Sequence, residues 1–290
     1  MSKANIELVS VIIPNFNYAH FLEESVNSVL AQTYSNIELI VVDDGSTDNS
    51  LEVLSQISGK ILVIESPNRG SCVARNLGMA EANGLYIAFL DADDAWDPEK
   101  IERQVKRLEE SNADLVFCQM RAYGEDANSS IGFTNIDVDH EWFLKNPGAT
   151  PFSPSVAILT RELASRVGGW NTNLTGPAED FDYFRRCAKL GRIVSLNEIL
   201  VSHRQHSGSL TSASTLRYFE DNLRVLKIMF DEDKSKINFL RMAQLWMKFH
   251  LNFFKHSLKV KNCNLFLRVV VSLLNPSLNL RYSYKDGHKS

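Results

Sequence analysis

Apolar positions along the first two hundred residues recur with two different periods. Short, nearly continuous runs at Leu8–Ile13, Glu38–Val42, Ile61–Glu65, Tyr86–Leu90 and Asp114–Cys118 are rich in Val, Ile and Leu, the pattern of strands buried on both faces. Between them, at His20–Gln32, Asp48–Ile57, Ser71–Asn83 and Pro98–Ser111, apolar residues return every three or four positions, which predicts amphipathic helices. The last opens with Asp97-Pro98-Glu99, a proline in the first turn with acids placed to suit the helix dipole. Strand–helix–strand alternation predicts an α/β fold with a mainly parallel sheet covered by helices. After Cys118 the rhythm breaks. Residues 121–153 are polar and turn-rich, with Asn146-Pro147-Gly148 and further prolines at 151 and 154. Regular structure is expected again at Ser155–Leu159, as a helix at Glu179–Leu190 and as a strand near Ile193–Val201. Residues 216–275 read as helix almost throughout.

Charge changes this picture only when the chain is divided. The 290 residues, 32.8 kDa with 44% hydrophobic positions, carry a net charge of −4. Residues 1–215 hold 17 basic against 29 acidic residues, whereas residues 216–290 hold 14 against 6, and no acid falls between Lys234 and Lys285. An acidic body therefore precedes a basic helical tail. Lys234, Arg241, Lys248 and Lys255 recur every seven residues and Lys259 follows four later, so the five share one stripe, with Phe239, Ala243, Trp246, Phe253 and Phe254 facing away. Two readings stay open: a helix packed on its own domain with a solvated basic face, or a helix lying on an anionic membrane surface. The first residues form no apolar leader, and the run Leu265–Leu274 is about half the twenty residues a spanning helix needs. The cysteines Cys72, Cys118, Cys187 and Cys263 form no metal pattern. These features predict reduced thiols in a cytoplasmic protein, peripheral on the inner membrane face if the tail binds lipid. No nucleic-acid partner is expected.

In an open parallel sheet, ligands bind beyond the carboxyl ends of the strands. The residues there are Pro14-Asn15-Phe16-Asn17 after the first strand, Asp43-Asp44-Gly45-Ser46-Thr47-Asp48 after the second and Asp91-Ala92-Asp93-Asp94 after the fourth. Six acids at one edge repel unless a cation lies between them, and oxygen ligands suit Mg²⁺ or Mn²⁺. Asp-rich loops also cap helices, so either loop alone is weak. The Gly-rich dinucleotide fingerprint and the P-loop are absent, which disfavours a nicotinamide dehydrogenase or a P-loop NTPase. Basic candidates for a phosphate are Arg69 and Arg75, for either of which a surface ion pair is the ordinary alternative.

These residues carry a resemblance. Val11-Ile12-Ile13-Pro14-Asn15-Phe16-Asn17, Ser28-Val29-Leu30-Ala31-Gln32-Thr33-Tyr34, Asp43-Asp44-Gly45-Ser46, Ala74-Arg75-Asn76-Leu77-Gly78, Leu90-Asp91-Ala92-Asp93-Asp94, Gly168-Gly169-Trp170-Asn171, Glu179-Asp180-Phe181-Asp182 and Arg204-Gln205-His206 follow one another in order. The chain resembles a family 2 inverting glycosyltransferase of the GT-A fold over residues 8–212. The resemblance implies a glycosyltransferase domain at 1–215, with a nucleotide-binding half at 1–120 and an acceptor-binding half at 121–215, ahead of a basic helical extension at 216–290.

It implies roles as well. Pro14, Phe16 and Asn17 would line the nucleobase pocket, with Asp43 and Asp44 at the base edge. Asp91-Ala92-Asp93 resembles the D-x-D motif, in which Asp93, supported by Asp91, Asp94 and the late His206, would hold Mn²⁺ or Mg²⁺ against the diphosphate, assisted by Arg69, Arg75 or Arg204. Asp180, with Glu179 beside it, resembles the general base, although acids in a first helical turn also serve the dipole. Gly169 and Trp170 resemble the acceptor side, where Trp170 would be a sugar-stacking face or a buried structural ring; His203 reads as structural. The implied activity is transfer of a sugar from a nucleoside diphosphate donor, UDP foremost, to a glycan or lipid-linked acceptor of cell-surface polysaccharide synthesis. A metal-dependent nucleotidyltransferase and an inactive sugar-binding scaffold are the alternatives.

Overall fold

The structure, a computed structural model, describes residues 6–124, 138–149, 153–174, 177–206, 215–233, 239–259 and 263–274. The chain divides into two compact units, one comprising Met1–Leu144 with Ala149–Ser212 and the other Lys145–Gly148 with Ala213–Ser290.

The first unit is built in the order β1 (Val9–Asn15), α1 (Ala19–Leu30), β2 (Ile37–Asp43), α2 (Ser50–Gln56), β3 (Ile61–Glu65), α3 (Ser71–Glu81), β4 (Tyr86–Phe89), β5 (Ala95–Trp96), α4 (Lys100–Ser111) and β6 (Leu115–Tyr123). It continues through α5 (His140–Lys145), a 3₁₀ turn at Pro154–Val156, β7 (Ala157–Thr160), α6 (Arg161–Val167), α7 (Pro177–Leu190) and β8 (Ile193–Arg204). The eight strands form one sheet in the order β3-β2-β1-β4-β7-β6-β8-β5. Its first half, β3-β2-β1-β4, is parallel throughout. Beyond β4 the sheet is mixed: β7 is antiparallel to both β4 and β6, and β5 to β8, while β6 and β8 run parallel.

The core follows the apolar runs. Val11, Ile12 and Ile13 of β1 are fully buried because β1 has a neighbouring strand on each side and helices over its faces. The β3 run behaves differently: Leu62 and Val63 are exposed, since β3 ends the strand order and has one neighbour only. Ala19, Leu22, Val26 and Val29 give α1 its buried stripe, and Ile101, Val105 and Leu108 do so in α4. Three elements depart from the sequence expectation. The strand expected to stop at Cys118 runs on to Tyr123, held by β8. A two-residue strand, β5, pairs with β8. A short helix, α6, is started by the Thr160 hydroxyl, which accepts a hydrogen bond from the Leu163 amide at 3.1 Å, the usual office of an N-cap threonine. The described cysteines of this unit, Cys72, Cys118 and Cys187, are free and buried.

The second unit carries α8 (Thr215–Asp233), α9 (Phe239–Lys259) and α10 (Cys263–Leu274). The helical reading of 216–275 thus resolves into three helices. Lys234 of the basic stripe lies outside the described residues, as do the side chains of Phe239, Arg241 and Lys259. Phe219, Leu223, Leu226, Met229, Leu245, Phe249 and Val269 form the apolar interior. His250 is buried among them, with Nδ1 2.9 Å from the Trp246 carbonyl and Nε2 2.9 Å from the Ser272 hydroxyl. No helix of the described residues is long and apolar enough to cross a membrane.

Candidate active site

Three parallel neighbours set the edge at which the acids meet. Asn15 and Asp43, the last residues of β1 and β2, are register partners, and Ile12 pairs with Phe89 of β4. The loops that follow these strands therefore emerge side by side. The mixed half of the sheet brings distant residues to the same edge by register alone. In the antiparallel pair β4–β7, Ala88 faces Ile158, and continuing that alignment places Ser155 beside Asp91. In β5–β8, Ala95 faces Ser202, which carries His203 to Asp94 and Arg204 to Asp93.

The residues expected at the nucleobase are tightly bound to one another. Asp43 is 1% exposed and accepts from Asn15 Nδ2 at 2.7 Å, the Ser46 amide at 2.9 Å and the Ser46 hydroxyl at 2.6 Å. Both oxygens of Asp44 accept backbone N–H groups ahead of α3, Oδ1 from Arg69 at 2.9 Å and Oδ2 from Gly70 at 2.6 Å. Gly45 makes the turn between the loops, at φ +77°, where a Cβ would meet Asn68 N and Ser66 O at 3.0 Å. Asn17, itself at φ 59°, ties the first loop to the second by accepting from the Thr47 amide at 2.7 Å. Phe16 is 38% exposed. The Arg69 side chain is exposed, without an ion pair among the described residues.

Arg75 is not the surface ion pair that its sequence context suggests. Its guanidinium is buried, donating to Glu179 Oε1 at 2.6 Å and Asp91 Oδ1 at 2.8 Å, and it lies 4.6 Å from the Trp170 ring centroid. Glu179 also accepts from the Ser71 hydroxyl at 2.9 Å and faces Cys72 Sγ at 3.2 Å. Trp170 is 2% exposed and stacks on Tyr183 at 4.0 Å, so the ring is a buried platform rather than an open stacking face. Its amide donates to Asn76 Oδ1 at 2.7 Å. That approach accounts for Gly169, where a Cβ would sit 2.7 Å from the same Asn76 oxygen.

Asp180, next to Glu179 on the first turn of α7, differs. Part of the residue reaches solvent, yet Oδ1 is buried and has no hydrogen-bond partner. Burial pushes its carboxyl well above the usual range; the Arg75 guanidinium opposes that shift, and Glu179 and Asp91 add to it.

At the far side, Asp94 is fully engaged. Its Oδ2 accepts from the Ser155 hydroxyl at 2.6 Å, and its Oδ1 meets His203 Nδ1 at 3.0 Å and the Arg204 amide at 3.1 Å. Ser155 Oγ also accepts from the Asp91 amide at 3.1 Å, so one hydroxyl clasps both ends of the Asp91–Asp94 turn. Sequence reading missed Ser155, because only the β4–β7 register reveals it. The Asp94 contact lifts the His203 imidazole to about 9. Arg204 Nε donates to the Asp93 carbonyl at 3.2 Å, while its guanidinium pairs with Glu24 and lies 4.3 Å and 4.4 Å from the Phe21 and Tyr123 ring centroids. It braces the turn from outside.

Asp93 Oδ2 is 3.1 Å from His206 Nε2. Burial first, then Asp94 and Asp91, raises its carboxyl to about 6. Among the described residues no group of three or more His, Cys, Asp or Glu is arranged to hold a metal ion. Of the four expected ligands, Asp94 is committed to Ser155, His203 and Arg204, and Asp91 to Arg75. Asp93 and His206 remain: a hard carboxylate with an imidazole, a donor pair that suits a divalent cation, set where neighbouring acids disfavour a bare negative charge.

Residues 10–168 match the model of Glycosyl transferase family 2. The glycosyltransferase TuaG of Bacillus subtilis is 39% identical over 212 residues, 71% of this chain and 82% of that one. An uncharacterized glycosyltransferase of Nostoc sp. is 50% identical over 108 residues, which span 36% of this chain and 34% of that relative. Among solved structures, residues 1–349 of S. aureus TarS in complex with UDP-GlcNAc superpose with a TM-score of 0.72 at 18% identity, covering 92% of this chain and 80% of that one. The mannosyltransferase PcManGT of Pyrobaculum calidifontis, in complex with GDP-Man and Mn²⁺, gives 0.59 at 18% identity, covering 94% and 88%. At such identities the likeness concerns the fold, which is GT-A.

Proposed function

The chain belongs to glycosyl transferase family 2, and from that premise we propose that it moves one sugar from a nucleoside diphosphate sugar, with UDP as the nucleotide, to an acceptor hydroxyl with inversion at the anomeric carbon. The acceptor in this reading is a growing cell-surface glycan on a lipid carrier at the cytoplasmic leaflet. The basic tail, which has no acid between Lys234 and Lys285, supports the lipid part.

One observation carries the chemical reading: the buried, partnerless Oδ1 of Asp180 at the mouth of the Arg75 cluster. An acceptor hydroxyl placed there donates its hydrogen bond to that oxygen, and Asp180 takes the proton as the hydroxyl oxygen attacks. A carboxylate with a raised affinity for protons is the stronger base. Arg75, held by Glu179 and Asp91, keeps positive charge beside it, so that the ionised form stays accessible despite burial. Glu179, with its oxygens occupied, positions Arg75. Asp43 and Asp44 shape the base pocket, where a carboxylate edge suits the N3–H donor of uracil. Asp93 and His206 would hold Mn²⁺ or Mg²⁺, which when bound would neutralise charge on the departing diphosphate.

Donor identity is tested by thermal shift with UDP- and GDP-sugars in Mn²⁺, since a ligand that binds the native state raises its melting temperature. A UDP-sugar is expected to give the largest shift; a larger shift with a GDP-sugar would replace UDP. Inversion is read from the anomeric configuration of the product by NMR, and a retained configuration would remove the single-displacement reading. Failure of every nucleotide sugar to bind would favour a scaffold without activity.

A further inference from the structure

The sequence pattern divides α9 into a basic face and an apolar face, but in the structure it has three. Leu245, Phe249 and His250 are buried, and Trp246 and Phe253 lie partly buried beside them. Lys248 and Lys255 are exposed. A third stripe is both apolar and exposed: Met247 at 55%, Leu251 at 50% and Leu258 at 56%. At about 100° per residue, positions 247, 251, 254 and 258 fall within an arc of about 60°, and Lys248 and Lys255 lie about 80–100° from Met247, on its flank. On α10, Leu267 and Val271 are four apart, hence on one face, and are 60% and 41% exposed. Phe254, inside the α9 arc, meets Phe266 with ring centroids 5.0 Å apart, which joins the two helices along this side.

Of the fourteen large apolar side chains exposed among the described residues, these two helices supply five, and the other nine are dispersed between Ile6 and Ile199. Single exposed apolar residues are ordinary; a stripe of them rimmed by charge marks an interaction surface. The charge selects the partner. Residues 239–274 contain six Lys and Arg and no acid. A second copy of the chain would set these like charges against each other. An anionic bilayer surface offers phosphates to the lysines and an acyl boundary to the apolar stripe. Neither helix is long and apolar enough to cross a membrane, so the geometry is that of elements lying in the interface.

We propose that the α9–α10 pair docks on an anionic phospholipid surface, with Met247, Leu251, Leu258, Leu267 and Val271 entering the headgroup–acyl boundary and Lys248 and Lys255 contacting lipid phosphates. Flotation of the full chain with vesicles of phosphatidylcholine, alone or mixed with phosphatidylglycerol, tests this without any nucleotide sugar, so its result is independent of the transfer reading. The wild type is expected to float with mixed vesicles at low salt, weakly at high salt, and not with neutral ones. Combined Met247→Ser, Leu251→Ser and Leu258→Ser should weaken binding at least about tenfold, as should Lys248→Glu with Lys255→Glu. All five side chains are exposed, so melting curves should match the wild type. Absence of flotation of the intact chain with mixed vesicles at low salt would overturn the proposal. So would wild-type flotation of both variants, which would locate binding elsewhere. Sedimentation decides the last rival: a dimer dissociated by the serine variant, with flotation unchanged, would assign the stripe to a second copy.

Discussion

Around Arg75 the carboxylates have partners: buried Glu179 and half-buried Asp91 accept from its two terminal nitrogens, Ser71 donates to Glu179, and Trp170 lies beneath, although Arg75 Nε and Trp170 Nε1 are buried without a partner. A few residues away the opposite holds. Asp180 buries an oxygen with no partner, and Asp93 has His206 on one side and two further carboxylates near it. The first region gains rigidity from satisfied hydrogen bonds, because a group that already has its partners can accept a proton or a ligand only by losing one. In the second region a buried oxygen without a partner costs free energy locally, and a hydrogen-bond donor or cation that reached it would recover part of that cost. Glu179 and Asp180 share a helical turn, yet only Asp180 keeps a buried carboxylate oxygen without a partner. What separates them is the position of Arg75.

The sharpest way to break this contrast is to neutralise the two neighbours separately. Asp180→Asn keeps the shape and removes the proton acceptor, so transfer should fall by about 10²–10⁴-fold, with donor affinity within a few-fold of the wild type. Product formation and donor titration check both, and equal turnover would remove Asp180 as base. Glu179→Gln should reverse the pattern, losing stability with a smaller proportional loss of rate. The next effect is on folding. Arg75→Leu leaves Glu179 buried, and Asp91 half-buried, without their cation, a loss expected to cost about 3–5 kcal/mol, read as a lower denaturation midpoint at unchanged m-value. A midpoint within experimental error of the wild type would show that the cluster is dispensable to the fold.

Arg75 also shows where sequence reading stops. Its place on α3, three residues after Cys72 and three before Gly78, both buried, puts it on the inward face by helical period, and that signal was available. Charge alone suggested a surface pair, because an arginine is rarely buried unless paired, and the pairing acids lie 16 and 104 positions away. The parallel half of the sheet was legible from its Val/Ile runs, and the acid loops from their place after those runs. β5 was not, since two residues carry no period and the strand exists only through β8. Nor was the exposed stripe of α9, because an apolar residue reads as buried until its neighbours are known. Ser155 belongs with these: its partners are fixed by register between β4 and β7, not by any local pattern.

Ser155 tests the boundary between the two regions, since its hydroxyl serves both Asp91 N and Asp94 Oδ2. Ser155→Ala leaves a buried carboxylate oxygen and an amide without that partner, worth about 1–3 kcal/mol of stability. Because the Asp91–Asp94 turn carries Asp93, Mn²⁺ affinity should fall alongside, whereas the Arg75 cluster should hold its geometry. Thermal melts with and without Mn²⁺ separate the two. A stability loss with unaltered metal response would show that the turn keeps Asp93 in place without the serine.

The smallest effect is the pH dependence that Asp180 confers, and its sign follows from burial. Its carboxyl is raised in the native state, so the native protein still holds that proton at pH values where the unfolded chain has released it. Stability from this group is complete below the ordinary carboxylate range and is lost as pH rises from there through the raised native value. One proton accounts for at most about 1.4 kcal/mol per pH unit. Asp180→Asn should therefore be the more stable protein at neutral pH, with the difference vanishing in acid, while transfer by the wild type should rise with pH as the same carboxylate ionises. Urea midpoints for both proteins across the acid-to-neutral range give the first trend and product formation the second. A midpoint difference independent of pH would mean that the Asp180 oxygen finds a partner in solution, and the contrast with Glu179 would then have to rest on geometry alone.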